Sequence, residues 1–232
     1  MWGHMASDKA AALVEEGDRK QEVRDYRGAL RSYEHALRLA PNDPVAWNNK
    51  GVALSSLGRY EDALRCYEKA LALRPNYWMA LFNMGKAHQK MGQLDEAIDC
   101  YDRSLDLKPD HFSAMNNKAV ALRALGHKEE ALEVYDELLA ADPFYEVAWQ
   151  NKGHLLEDMG LEEEAQVCFN MASMLVSRLG RAVAQPPGAP HAKRPAARLP
   201  SGGEGAARPD VSESEERDTE PVRAPRQKKV LK

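Results

Sequence analysis

Asn49, Asn83, Asn117 and Asn151 recur every 34 residues. A side-chain amide offers a donor and an acceptor together, so a column of them can pair with the backbone of an extended peptide whatever that peptide's sequence. Asn48, Phe82, Asn116 and Gln150 sit one residue earlier, and Val52, Lys86, Val120 and His154 three later, all on one helical face. Lys90 and Arg123 add cations farther along, followed by Glu157 and Asp158. The surface so marked is polar, mildly basic in its middle and acidic toward its C-terminal end. Its candidate peptide contacts are Asn49, Asn83, Asn117 and Asn151, with Asn48, Phe82, Asn116, Lys86, Lys90 and Arg123 beside them. The alternative stays open that the amides bond neighbouring segments or water. Phe82 is the odd member, since a ring exposed among polar groups would mark a side-chain pocket.

This is the chemistry of binding. The chain holds no phosphate loop, no G-x-S-x-G, no H-E-x-x-H and no acid–base pair beyond solvated helix charges. It reads as no enzyme and as needing no cofactor. His88, His111, His127 and His154 lack metal-ligand spacing. Cys66, Cys100 and Cys168 share one register, too far apart for a disulfide, and are expected as buried small hydrophobes. Lys50, Lys118 and Lys152 stand among apolar residues, where a stem can cover apolar surface while the ammonium reaches water.

The elements that position these residues repeat with them. Ala63, Ala97, Ala131 and Ala165 keep the 34-residue period, as do Tyr67, Tyr101, Tyr135 and Phe169. A period of that size is the signature of stacked repeats. Apolar residues at i, i+3, i+4 and i+7 predict two helices per period, the first ending near Gly58, Gly92, Gly126 or Gly160 and the second running toward a proline. Neither helix can bury its apolar face alone, so the pairs must stack.

Together these residues resemble tetratricopeptide (TPR) repeats. The family pattern W-x2-L-G-x2-Y, then A-x3-F/Y, A and P, is met by Trp47, Gly51, Leu54, Ala63, Tyr67, Ala70 and Pro75. Departures are Lys50, Lys118 and Lys152 at the usual leucine, Ala119 for glycine and Ser177 for the last proline. The AWNNKG wording is similar to arrays common in archaea and bacteria. Five repeats are expected at about 10–43, 44–77, 78–111, 112–145 and 146–179. The resemblance implies an all-α, right-handed superhelical solenoid of antiparallel helix pairs, with a concave groove lined by first helices that typically holds other proteins. It also puts the asparagine register on the concave side. The clamp by which some co-chaperones hold a C-terminal carboxylate would need cations at Met79, Ser113 or Val147, and they are absent.

The ends differ from the array. Residues 1–5 resemble a cloning remnant, and the TPR domain is expected over 6–184. The last helix is expected from about Glu163 to Ala184, with Met171, Met174, Leu175 and Leu179 as an apolar side open to a partner or a second copy. Residues 185–232, rich in Pro, Gly, Ala and charge, are expected to be a disordered tail. The net charge of −4 divides into 21 Lys/Arg against 29 Asp/Glu up to residue 180 and 11 against 7 beyond it. An acidic body argues against nucleic acid or membrane as partners except through the basic tail. Three cysteines and no long apolar run suit a cytoplasmic protein. The functional expectation is a scaffold that binds an extended peptide of a partner protein. A homo-oligomer joined through its end repeats ranks second, and an adaptor using the tail third.

Overall fold

The computed structural model describes residues 2–184, with side chains over 7–177, all within the unit Met1–Pro187. The expected tail and Leu179's side chain lie outside the described residues. Those residues form ten helices and no strand. They run as α1 (Trp2–Glu22), α2 (Tyr26–Leu39), α3 (Pro44–Ser56), α4 (Tyr60–Leu73) and α5 (Trp78–Lys90). Then follow α6 (Leu94–Leu107), α7 (Phe112–Leu125), α8 (Lys128–Ala141), α9 (Glu146–Asp158) and α10 (Glu162–Ala184). Residues 2–5, set aside as a remnant, continue α1 backward beyond the expected start near Ala6.

Punctuation explains the boundaries. Gly58, Gly92, Gly126 and Gly160 turn the chain within each pair at φ between 76° and 89°, a left-handed geometry that a Cβ resists. Arg24 takes that geometry in the first pair, at φ 62°. The second helices stop at residues before Pro41, Pro75, Pro109 and Pro143, because a following proline pushes its neighbour out of helical geometry. Ala40, Arg74, Lys108 and Asp142 accordingly have φ between −132° and −144°. Ser177 holds that register in the fifth copy, and α10 runs on through it.

Packing follows the small-against-large scheme. Tyr33, Tyr67, Tyr101 and Tyr135 are fully buried pillars of the stack. A Cβ on Gly51 would come within 2.5 Å of the Tyr67 ring, and one on Gly153 within 2.5 Å of Phe169. Cys66, Cys100 and Cys168 are free and buried, and burial pushes each thiol up, that of Cys100 to about 11. Each helix packs on the next, and each odd-numbered helix also touches the next odd-numbered one, whereas even-numbered helices do not meet. The odd helices therefore gather on an inner face and the even ones spread over an outer face.

Candidate functional site

The inner face carries the asparagine register, and the amides are spent largely on one another. Asn49 Nδ2 donates to Asp18 Oδ1 at 2.9 Å. Asn48 Nδ2 donates to Asn49 Oδ1 at 3.0 Å, and Asn83 Nδ2 to Asn48 Oδ1 at 3.1 Å. The pattern resumes at Asn116, which donates to Asn117 Oδ1 at 3.4 Å and accepts from Asn151 at 2.9 Å. Two hydrogen-bonded chains thus cross the seams between repeats. They are separated at Phe82, the one member of its register without an amide or a hydrogen-bonding group among positions 48, 82, 116 and 150. Asn117, lacking an acceptor there, bonds the Tyr101 hydroxyl instead.

This arrangement corrects several expectations. Asn48 and Asn116 are only 4% and 7% exposed, so they belong to the seams and not to a peptide-facing wall. Phe82 is half-buried, its ring 4.4 Å from that of His111 and 6.0 Å from that of Tyr101, so it packs among rings of its own repeat instead of standing exposed in the groove. Arg123 is engaged as well, donating from Nε to Asp158 at 2.6 Å. The buried Tyr135 hydroxyl has no hydrogen-bond partner among the described residues, while Tyr33 reaches Asp18 and Tyr101 reaches Gln89. The guanidinium also holds the Asp158 carboxyl below its usual range, chiefly through that hydrogen bond. Asn49, Asn83, Asn117 and Asn151 are half-buried at the same register.

Lys86 and Lys90 differ from all of these. Both are exposed, neither enters an ion pair among the described residues, and Lys86 leans over the Phe82 ring at 5.4 Å. They stand one and two turns past Asn83, where the amide chain breaks. The N-terminal end of the same face is acidic: Asp18, Gln21 and Glu22 surround a depression of about 400 Å³ beside Asn49.

The half-buried lysines have a different use. Lys50 reaches Glu34 at 3.4 Å, Lys118 reaches Asp102 at 2.5 Å, and Lys152 pairs with Asp136. Each acid lies on the second helix of the preceding repeat. The Lys50 and Lys152 ammoniums also sit 5.5 and 5.9 Å from the rings of Trp47 and Trp149. The stems cover apolar surface as expected; the interrepeat ion pairs were missed, although the constant 16-residue spacing of 34–50, 102–118 and 136–152 signals them. At the C-terminal end Met174 is exposed, but Leu175 is buried and drops out of the expected open stripe.

Helix pairs of constant length, stacked through conserved-register tyrosines and opened on an inner face, define a helical-repeat binding scaffold. Sequence models of the tetratricopeptide repeat match residues 44–77, 82–146 and 147–173. The chain belongs to the tetratricopeptide repeat family. It is 37% identical over 51 residues to the small glutamine-rich tetratricopeptide repeat-containing protein 2 of Mycosarcoma maydis. That stretch is 22% of this chain and spans only 14% of the relative. Among solved structures, MamA from Desulfovibrio magneticus RS-1 superposes with a TM-score of 0.67 at 24% identity, covering 77% of this chain and 98% of that one. The first TPR of Spaghetti (RPAP3) bound to the HSP90 peptide SRMEEVD gives 0.51 at 30% identity, covering 52% and 95%.

Proposed function

We propose that the chain is a protein-interaction scaffold whose inner face binds an extended, acidic peptide segment across its third repeat, in a reducing, cytoplasm-like compartment. One observation carries this reading: Lys86 and Lys90 are exposed inner-face cations that enter no ion pair among the described residues, and they follow Asn83, where the amide chain breaks. There Asn83 engages one N–H with Asn48 and keeps its other amide groups for a ligand backbone. Asp18 and Arg123, toward the two ends of the face, are already engaged, Asp18 by Tyr33 and Asn49, and Arg123 by Asp158. The bound SRMEEVD peptide of the RPAP3 neighbour is also rich in carboxylates. The mode differs from a clamp on a chain terminus, because Met79, Ser113 and Val147 offer that terminus no cation.

Fluorescein-labelled SRMEEVD, its C-terminally amidated form and a charge-inverted version test the reading by anisotropy. The acidic peptide binds with or without its terminal carboxylate, and the inverted one binds weakly. Lys86→Glu with Lys90→Glu lowers affinity about tenfold, the loss expected for two exposed charge pairs. Equal binding of all three peptides, or no effect of the double variant, sinks the idea.

A further inference from the structure

The outer face carries a second feature that the inner groove does not use. In the second repeat, Trp47, Lys50, Leu54 and Cys66 frame a depression of about 280 Å³ together with Glu34 and Asp62. Three repeats on, Trp149, Lys152, Leu156 and Cys168 frame its counterpart of about 380 Å³ together with Asp136 and Glu164. Trp47 lies two residues from Asn49 along α3, about 200° around the helix, so these depressions open away from the inner face.

The two frames correspond residue for residue, and their lips do not. Arg59 and Arg65 line the first, where Leu161 and Val167 line the second. Arg27 and Arg31 line an adjoining depression that shares Glu34 and Arg59 with the first, and Glu129 and Glu133 hold the equivalent positions on α8. The other repeats serve as internal controls. Asp25, Arg59, Gln93 and His127 share the register of Leu161; Arg31, Arg65, Asp99 and Glu133 share that of Val167. Stacking therefore does not require an apolar residue at either place, yet the fifth repeat has both, with Leu161 37% and Val167 60% exposed. Leu132 and Trp149 continue the apolar floor.

We propose that this outer groove of the fifth repeat receives a cationic amphipathic helix of another protein. Its walls are α8, α9 and α10, whose backbone groups are bonded within their own helices, so an added strand would find no partner. Contact must come from side chains, and Leu161, Val167, Leu132 and Trp149 offer the apolar bed that a helix fills with residues at i, i+3, i+4 and i+7. Charge selects the flank of the incoming helix. Glu164 lines the depression, and Glu129 and Glu133 are exposed on α8 at the registers of Arg27 and Arg31. Among the described residues none of the three enters an ion pair, while Asp136 is held by Lys152. Lysines beside the apolar stripe of the helix meet those three carboxylates.

The probe is a fluorescein-labelled helix of about 18 leucines and lysines, five turns long, with its leucines on one face. A permuted peptide of the same composition and a leucine–glutamate counterpart accompany it. Anisotropy against the full chain shows the amphipathic cationic helix binding at least about tenfold tighter than either. Leu161→Gln with Val167→Glu, residues that the third and fourth repeats already carry at those registers, removes that preference without moving the melting curve. Lys86→Glu on the inner face leaves it intact, which separates this site from the peptide groove. The proposal is overturned if the chain ignores the helix, if the permuted peptide binds as well, or if the double variant binds like the parent. It also falls if sedimentation shows a dimer that the double variant dissociates, since a second copy then fills the groove.

Discussion

The inner and outer faces of the same helices use polar residues in opposite ways. On the inner face, Asn48, Asn49 and Asn83 are linked in one chain, so each satisfies its neighbours and none is free to change alone. On the outer face, Arg59, Gln93, His127 and Leu161 follow one another at a single register with no loss of the stack. Of the two inner-face registers, the invariant one (Asn49, Asn83, Asn117, Asn151) stays half-buried, while the varied one before it buries Asn48 and Asn116 in the seams. Variation at an exposed outer register marks room for a partner. A function assigned to every amide of the inner face would have included Asn48 and Asn116, which are buried.

Among the polar substitutions Asn48→Ala gives the largest expected effect, because it strands the Asn83 amide N–H and the Asn49 carbonyl together at a seam. Leaving such groups unpaired costs about 1–3 kcal/mol. Asn151→Ala, at the end of the shorter chain, strands only the Asn116 carbonyl and costs less. Urea midpoints of the two variants measure the difference. Near-zero shifts in both would break the contrast between the faces, since the amides would then be as dispensable as the outer charges.

Much of this architecture was readable from residue types. Glycine at 58, 92, 126 and 160 announced left-handed turns, proline at 41, 75, 109 and 143 announced helix ends, and Ser177 explained why α10 continues. Burial at the seams was not, because a helical register says which way Asn48 points but not how closely the next helix approaches. Arg24 shows the same limit: its left-handed turn is imposed by the pair around it, against its own preference. The outer groove was written in the sequence as Leu161 and Val167 among polar equivalents. It became visible only once the register was known to face a depression.

The break at Phe82 sharpens the comparison through pH. Phe82 and Trp78 enclose His111 at 4.4 and 4.8 Å, and its Nδ1 is buried without a partner. Burial first, and the Lys108 charge second, hold its folded pKa below the ordinary 6.5. The unfolded chain therefore takes up this proton before the folded one does. Stability present above about 6.5 is lost as pH falls through the folded value. Thermal melts at falling pH show a declining midpoint, and His111→Phe makes that decline shallower. An unchanged slope in the variant would remove His111 as its source.

A smaller effect comes from completing the lysine series. Met84 stands where Lys50, Lys118 and Lys152 reach back to acids, and it leaves Glu68 without that partner. Met84→Lys supplies the missing ion pair, and because such pairs are half exposed the gain is at most about 1 kcal/mol. A double-mutant cycle with Glu68→Gln isolates the coupling; no coupling would mean that the other three pairs contribute by their stems alone.

The smallest effect is expected at Val167→Glu. The side chain is mostly exposed, and the fourth repeat already tolerates Glu133 at the same register, so the urea midpoint should stay within about 0.5 kcal/mol of the parent. This insensitivity has content because a residue kept for packing behaves otherwise: Leu138, fully buried on α8, should lose about 2–5 kcal/mol as alanine. If Val167→Glu destabilised the chain to a similar degree, the apolar lip would be part of the fifth repeat's own cap. Its departure from the other repeats would then be explained by the end of the stack. A silent substitution leaves a large apolar side chain exposed for no reason internal to the fold, which is the condition under which an external helix must account for it.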